Sequence, residues 1–68
     1  MGRWKRNIYR VFKENNVGEC PYCNSKDTDY VFHKHEDGKG NLNVWCNSCS
    51  ESIHVDLSTV PDDKKIAV

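Results

Sequence analysis

The sequence predicts a small α+β domain, one N-terminal amphipathic helix followed by three antiparallel strands, closed by a staple that its short core cannot do without. Three observations lead there. The first is size: 68 residues with 37% apolar content make a single domain. Ordering such a chain costs roughly 100 kcal/mol at about 1.5 kcal/mol per residue, more than so thin a core balances. The second is that all four cysteines fall in two pairs, Cys20-Pro21-Tyr22-Cys23 and Cys46-Asn47-Ser48-Cys49, with 22 residues between them. The third is a change of hydrophobic period, helical before the first pair and alternating at two residues after it.

The cysteine pairs supply the staple. A two-residue gap lets one tight turn aim both sulfurs at a common centre, and two such turns together place four thiolates in a tetrahedron about 2.3 Å from one ion. Zn²⁺ accepts that geometry, and a reducing cytosol keeps thiols available. Cys20, Cys23, Cys46 and Cys49 are therefore expected to bind one structural Zn²⁺. Its binding supplies roughly 10 to 16 kcal/mol of apparent folding free energy, which makes the fold metal-stabilised. Four thiolates leave no position for water or substrate. His33, His35 and His54 then have no vacant place on the ion, although one of them can donate a hydrogen bond to a sulfur. Two disulfides, in any of three connectivities, need a secretory context that the sequence does not display. Redox C-x-x-C motifs normally open a helix in a larger βαβ domain, whereas here the motif occurs twice in a chain too short for one.

These residues resemble a zinc ribbon. Within that class, Cys20-Pro21-Tyr22-Cys23, then Asn24-Ser25-Lys26-Asp27, a strand pair and Val44-Trp45-Cys46-Asn47-Ser48-Cys49 are most similar to small ribbons encoded by phages and prophages, such as the restriction alleviation family. The resemblance spans residues 18–57 and implies fold and metal more than activity. Asn24 and Ser50 stand where such ribbons commonly carry glycine after the second cysteine of each turn. Asn tolerates a left-handed backbone better than Ser, so the geometry of the second turn is the open point.

Between the cysteine pairs, Tyr30 to His35 and Asn41 to Cys46 read as two strands of a hairpin, being rich in β-branched and aromatic residues and separated by Glu36-Asp37-Gly38-Lys39-Gly40. Ile53 to Leu57 alternates as a half-buried third strand. Leu42, Val44 and Cys46 share one face, as do Ile53, Val55 and Leu57, with Tyr30 and Phe32 joining them as the core. Trp45, His54, Asn43, His33 and His35 fall on the other face. Pro61 is expected to end regular structure, leaving residues 58–68 as a tail in which Asp62-Asp63-Lys64-Lys65 is solvated.

Residues 3–14 read as the helix, stopped by Asn15-Asn16-Val17-Gly18. Trp4, Ile8, Val11 and Phe12 lie in one stripe of about 100°, the width a helix buries, and are expected to dock on the ribbon's own sheet. Arg3, Arg6, Arg10 and Lys13 fall within about 80° of one another on the opposite side, along a single ridge. With Lys5 they make five basic residues against one acidic residue, Glu14, among residues 1–16, a local charge of +4 that the rest of the chain balances. A face built only for solubility mixes both signs, and cations early in a helix oppose its dipole. Guanidinium groups suit phosphate because each can grip two oxygens.

Ten basic and ten acidic residues exclude the bulk charge of polybasic proteins. No apolar run reaches about 18 residues and the N-terminus has no signal-peptide pattern, so the chain reads as cytosolic, soluble and without membrane contact. Met1-Gly2 begins like a myristoylation signal, which Arg6 at the sixth position interrupts. The expected function is a non-enzymatic binding module for nucleic acid or a nucleic-acid-processing protein, monomeric or homodimeric. Arg3, Arg6, Arg10 and Lys13 would track phosphates, while Trp45 with His33 or His54 would touch bases or a protein surface. One alternative is an adaptor or inhibitor acting through the hairpin tip. Glu36-Asp37 resembles, in reversed order, the acidic pair that transcript-cleavage elongation factors present to polymerase, and is also ordinary turn chemistry. Another is a homodimer through the apolar helix face. A rubredoxin-like redox carrier would want glycine after the second cysteine of each turn and an acidic surface, and this chain has neither. No spacing marks a nucleophile with its base, and three short strands offer no water-excluding pocket, so no enzyme activity and no small-molecule substrate are expected.

Overall fold

The computed structural model describes residues 2–61, 66 and 67. A single 3-10 turn, Gly2–Trp4, leads into α1, Lys5–Glu14. The first turn is tighter than an α-helix where the sequence predicts one uninterrupted helix. No Ser, Thr, Asp or Asn stands at the start to cap the free amides, and Trp4 makes no capping side-chain bond. At the other end Asn15 turns left-handed with φ 58°, and its N–H donates to the Val11 carbonyl at 3.1 Å. That is the expected stop.

With no N-terminal cap, the helix is held by packing. Trp4, Ile8 and Val11 are buried, Phe12 is half-buried, and all four join one core with Phe32, Leu42 and Val44. The Phe12 ring meets Phe32 edge-on at 5.5 Å between centroids. Each fully buried aliphatic or aromatic side chain contributes about 1.5 to 3 kcal/mol. The indole N–H of Trp4 is buried without a hydrogen-bond partner, so this ring serves as apolar bulk.

The strands are β1 (Thr28–Lys34), β2 (Gly40–Cys46), β3 (Ser52–Leu57) and β4 (Ile66–Ala67), in the sheet order β3-β2-β1-β4. The first three are antiparallel, as predicted. Their register aligns Tyr30 with Val44 and Ile53, and Phe32 with Leu42 and Val55, which puts the expected core set on one face. Asp29, Trp45 and Ser52 form a row on the other face, as do Val31, Asn43 and His54.

The C-terminal segment corrects the expectation of a tail. Val60 is buried in the core, its N–H donates to the Gly38 carbonyl at 3.2 Å, and Ile66–Ala67 pairs parallel with Phe32 and His33. Gly40 makes room for this return. A Cβ there would collide with the His33 carbonyl oxygen and stand 2.6 Å from the Val60 side chain. The Asp62-Asp63-Lys64-Lys65 run lies outside the described residues.

Candidate metal centre and its cationic border

Two tight turns, or knuckles, bring the cysteines together. In residues 20–25, the Cys20 N–H donates to the Ser25 carbonyl at 2.8 Å and the Asn24 N–H to the Cys20 carbonyl at 2.9 Å. In residues 46–51, Cys46 donates to Glu51 at 2.9 Å and Ser50 to Cys46 at 3.0 Å. Asn24 and Ser50 are both left-handed, with φ 62° and 65°. The second turn therefore takes the same form as the first although Ser accepts that backbone less readily.

All four sulfurs lie within 4.8 Å of one another, with Cys20 Sγ 3.5 Å from Cys49 Sγ and Cys23 Sγ 3.7 Å from Cys46 Sγ. Sulfurs bound about 2.3 Å from one ion at tetrahedral angles sit about 3.8 Å apart. The spacing therefore fits a single tetrahedral metal and is too long for disulfides, and all four cysteines are free. Four cysteines are positioned to hold one metal ion.

Their acidities differ. Burial opposes the Cys20 thiolate, but the Cys23 and Tyr22 amides and the Cys49 and Cys23 sulfurs outweigh it and lower the pKa from 9.0 to about 7. The Glu51 amide favours the Cys49 thiolate, yet burial and the three surrounding sulfurs prevail and push it up to about 12. One thiolate forms readily, and crowding resists full ionisation until a cation neutralises the charge. No histidine enters the cluster among the described residues. His54 instead places Nδ1 2.8 Å from Asn43 Oδ1 and Nε2 3.1 Å from Asp56 Oδ1, on the outer sheet face.

The helix is tied to the first knuckle by a residue absent from the sequence-based site. Asn7, only 7% exposed, donates through Nδ2 to the carbonyls of Val17 at 2.9 Å and Glu19 at 2.7 Å, just before Cys20. A polar residue on the border of an apolar helical stripe was the available signal.

Between α1 and this knuckle runs a groove of about 840 Å³ lined by Arg3, Lys5, Arg6 and Arg10 on one side and by Glu19, Pro21 and Asn24 on the other. The Arg3 guanidinium lies over the Tyr22 ring at 5.1 Å. Arg10 reaches across Gly18, where a Cβ would come within 2.6 Å of Nη1, and its Nε stands 3.5 Å from Glu14 Oε2. Beyond Arg10 a smaller groove continues to Lys26.

The predicted binding residues thus divide. Arg3, Arg6 and Arg10 converge, whereas Lys13 turns aside to lie over the Tyr9 ring at 5.6 Å. Trp45, His33 and His54 sit on the sheet face away from the helix, and Trp45 is half-buried there. At the hairpin tip, Asp37 Oδ1 accepts the Lys39 N–H at 3.0 Å, the ordinary turn role of an aspartate. Among the described residues no helix is long and apolar enough to cross a membrane. No family model matches the chain, and neither a curated protein nor a solved structure gives a match.

Proposed function

We propose that this chain is a non-enzymatic zinc-binding module that holds nucleic acid through the arginine-lined groove between α1 and the first knuckle. The observation that carries this reading is the convergence of Arg3, Arg6 and Arg10, with Lys5, on one groove whose lining has a single carboxylate, Glu19. Like charges gathered this way repel one another, and α1 has no acidic residue in its first turn to offset them. A polyanion relieves that repulsion, and each guanidinium can take two phosphate oxygens.

Zinc is the metal that suits four thiolates at this spacing. Four sulfurs complete its coordination shell, so the ion braces the knuckles and leaves recognition to the surface. Reduced cysteines fit a cytoplasmic setting.

The test is a salt series with metal-loaded protein and a fluorescent oligonucleotide, followed by anisotropy. About four neutralised phosphates give a log–log slope of about −3 to −4. Replacing Arg3, Arg6 and Arg10 by Gln is expected to flatten the slope and abolish binding at moderate salt. A slope near zero in the parent chain rejects the reading. A partner pulled from extract that survives nuclease treatment and the triple substitution places the function on a protein surface elsewhere.

A further inference from the structure

We infer that the face carrying the arginine groove takes single-stranded nucleic acid, with the backbone on Arg3, Arg6 and Arg10 and unstacked bases on Tyr22 and Tyr9, which lie outside the groove lining, an inference that rests on the nucleic-acid reading above. Only two large apolar side chains among the described residues are exposed, Tyr9 at 62% and Tyr22 at 43%. In a chain whose core is so small, the exposed parts of these two rings are apolar surface that the core does not cover.

Both rings border the cations. The Arg3 guanidinium lies over the Tyr22 ring at one end of the arginine ridge, and the Lys13 ammonium lies over the Tyr9 ring toward the other. Each cation covers part of its ring, so a base takes the ring surface left exposed while its phosphate draws the cation toward itself.

Tyr22 is also held in place. It sits between two metal-binding cysteines, its N–H donates to Cys20 Sγ at 3.4 Å, and the buried Trp4 ring supports it at 6.1 Å between centroids, tilted by 52°. A braced aromatic loses little entropy when a base stacks on it. In a duplex the base faces are already stacked inside the helix, so these rings offer nothing to double-stranded DNA beyond what the arginines provide. An acidic peptide would satisfy the cations and leave the rings idle.

Metal-loaded protein is titrated with fluorescent oligothymidylate, oligouridylate, a mixed-sequence duplex of equal phosphate count and a poly-glutamate peptide, at low salt. Both single strands are expected to bind at least about tenfold tighter than the duplex or the peptide. Tyr22→Leu should weaken single-strand binding by about 5- to 150-fold, and leave duplex binding and metal content unchanged. Tyr22→Phe should bind like the parent. Tyr9→Leu, on the helix surface and away from the metal, gives the same comparison should the Tyr22 substitution disturb the knuckle.

Equal binding of duplex and single strand, lost in the triple arginine variant but unchanged in both tyrosine variants, overturns this inference and leaves the nucleic-acid reading standing. Single-strand binding that survives the triple arginine variant overturns both. Poly-glutamate binding as tight as the single strands overturns the choice of a nucleic acid.

Discussion

Residues 20–25 and 46–51 close the same pair of backbone hydrogen bonds, each with a left-handed residue directly after its second cysteine, yet they live in different surroundings. The first turn is roofed by the N-terminal helix, tied to it through Asn7, backed by Trp4 and bordered by three arginines. The second carries exposed Asn47, Ser48 and Ser50, and is fastened to the loop before β1 by Asn47, whose N–H donates to the Asp27 carbonyl at 2.9 Å and whose side chain reaches Asp27 Oδ1 at 3.3 Å. Holding a metal needs only the backbone turn, which both knuckles have. The proposed recognition uses a helix brought alongside, and among the described residues α1 stands against the first knuckle.

The largest expected effect tests what the knuckles share. Chelation of the metal should abolish the cooperative thermal transition and the near-ultraviolet circular dichroism of the tryptophans, a loss on the order of 10 to 16 kcal/mol of apparent folding free energy. Cys20→Ser and Cys46→Ser should do equal harm, because each removes one of four ligands. A folded, metal-free chain, or a variant pair in which only one loses structure, breaks the equivalence.

Acid should act in the same direction as the chelator. The Cys20 pKa is lowered from 9.0 to about 7 in the folded chain, so its thiolate contributes fully above about pH 9 and that contribution disappears as pH falls through about 7. Metal affinity measured across a pH series with a competing colorimetric chelator should fall on the acid side as protons compete with the ion for the four sulfurs, and an affinity that does not weaken as pH falls contradicts the thiolate site.

Next in size is the tether. Asn7→Ala leaves two carbonyls without their donor and should cost about 1 to 3 kcal/mol, lowering Tm by several degrees while metal stoichiometry stays at one. Asn47→Ala removes an exposed side-chain bond and should change stability by less than about 0.5 kcal/mol. The comparison fails if the two losses are equal, since the first knuckle would then owe nothing special to the helix.

The smallest effect sharpens the backbone half. Ser50→Gly should stabilise the metal-loaded chain by about 0.5 to 1 kcal/mol in denaturant unfolding, because a non-glycine residue in the left-handed region costs about 1 to 2 kcal/mol, offset in part by the freer unfolded chain. Asn24→Gly should change little, since Asn visits that region readily. A larger gain at Asn24 than at Ser50 would reverse the ranking.

Much of the fold was legible in short stretches of sequence. The two-residue cysteine gaps located the metal ligands, and alternation put Leu42, Val44, Ile53 and Val55 on the core face that the register confirms. The buried Val60 and the two-residue β4 were not legible, because a single strand pairing of that length has no period to detect. Angular position on the helix correctly separated the Trp4, Ile8 and Val11 stripe from the arginines. It could not tell that Lys13, on the same ridge, would settle on Tyr9, or that Tyr22, read only as a spacer between cysteines, would meet Arg3.

The sequence by itself determined the ligand quartet, the face each strand buries and the helix stripe, since spacing and periodicity are local and the chain geometry that turns them into structure is short-range. Tertiary structure alone decided which cations converge, which aromatic rings stay exposed and how the C-terminal segment adds an edge strand to the sheet. Those outcomes depend on how closely α1, the first knuckle and the returning chain approach one another, and that approach is set by the Asn7 tether, the space left at Gly18 and Gly40, and the packing of Trp4 and Val60.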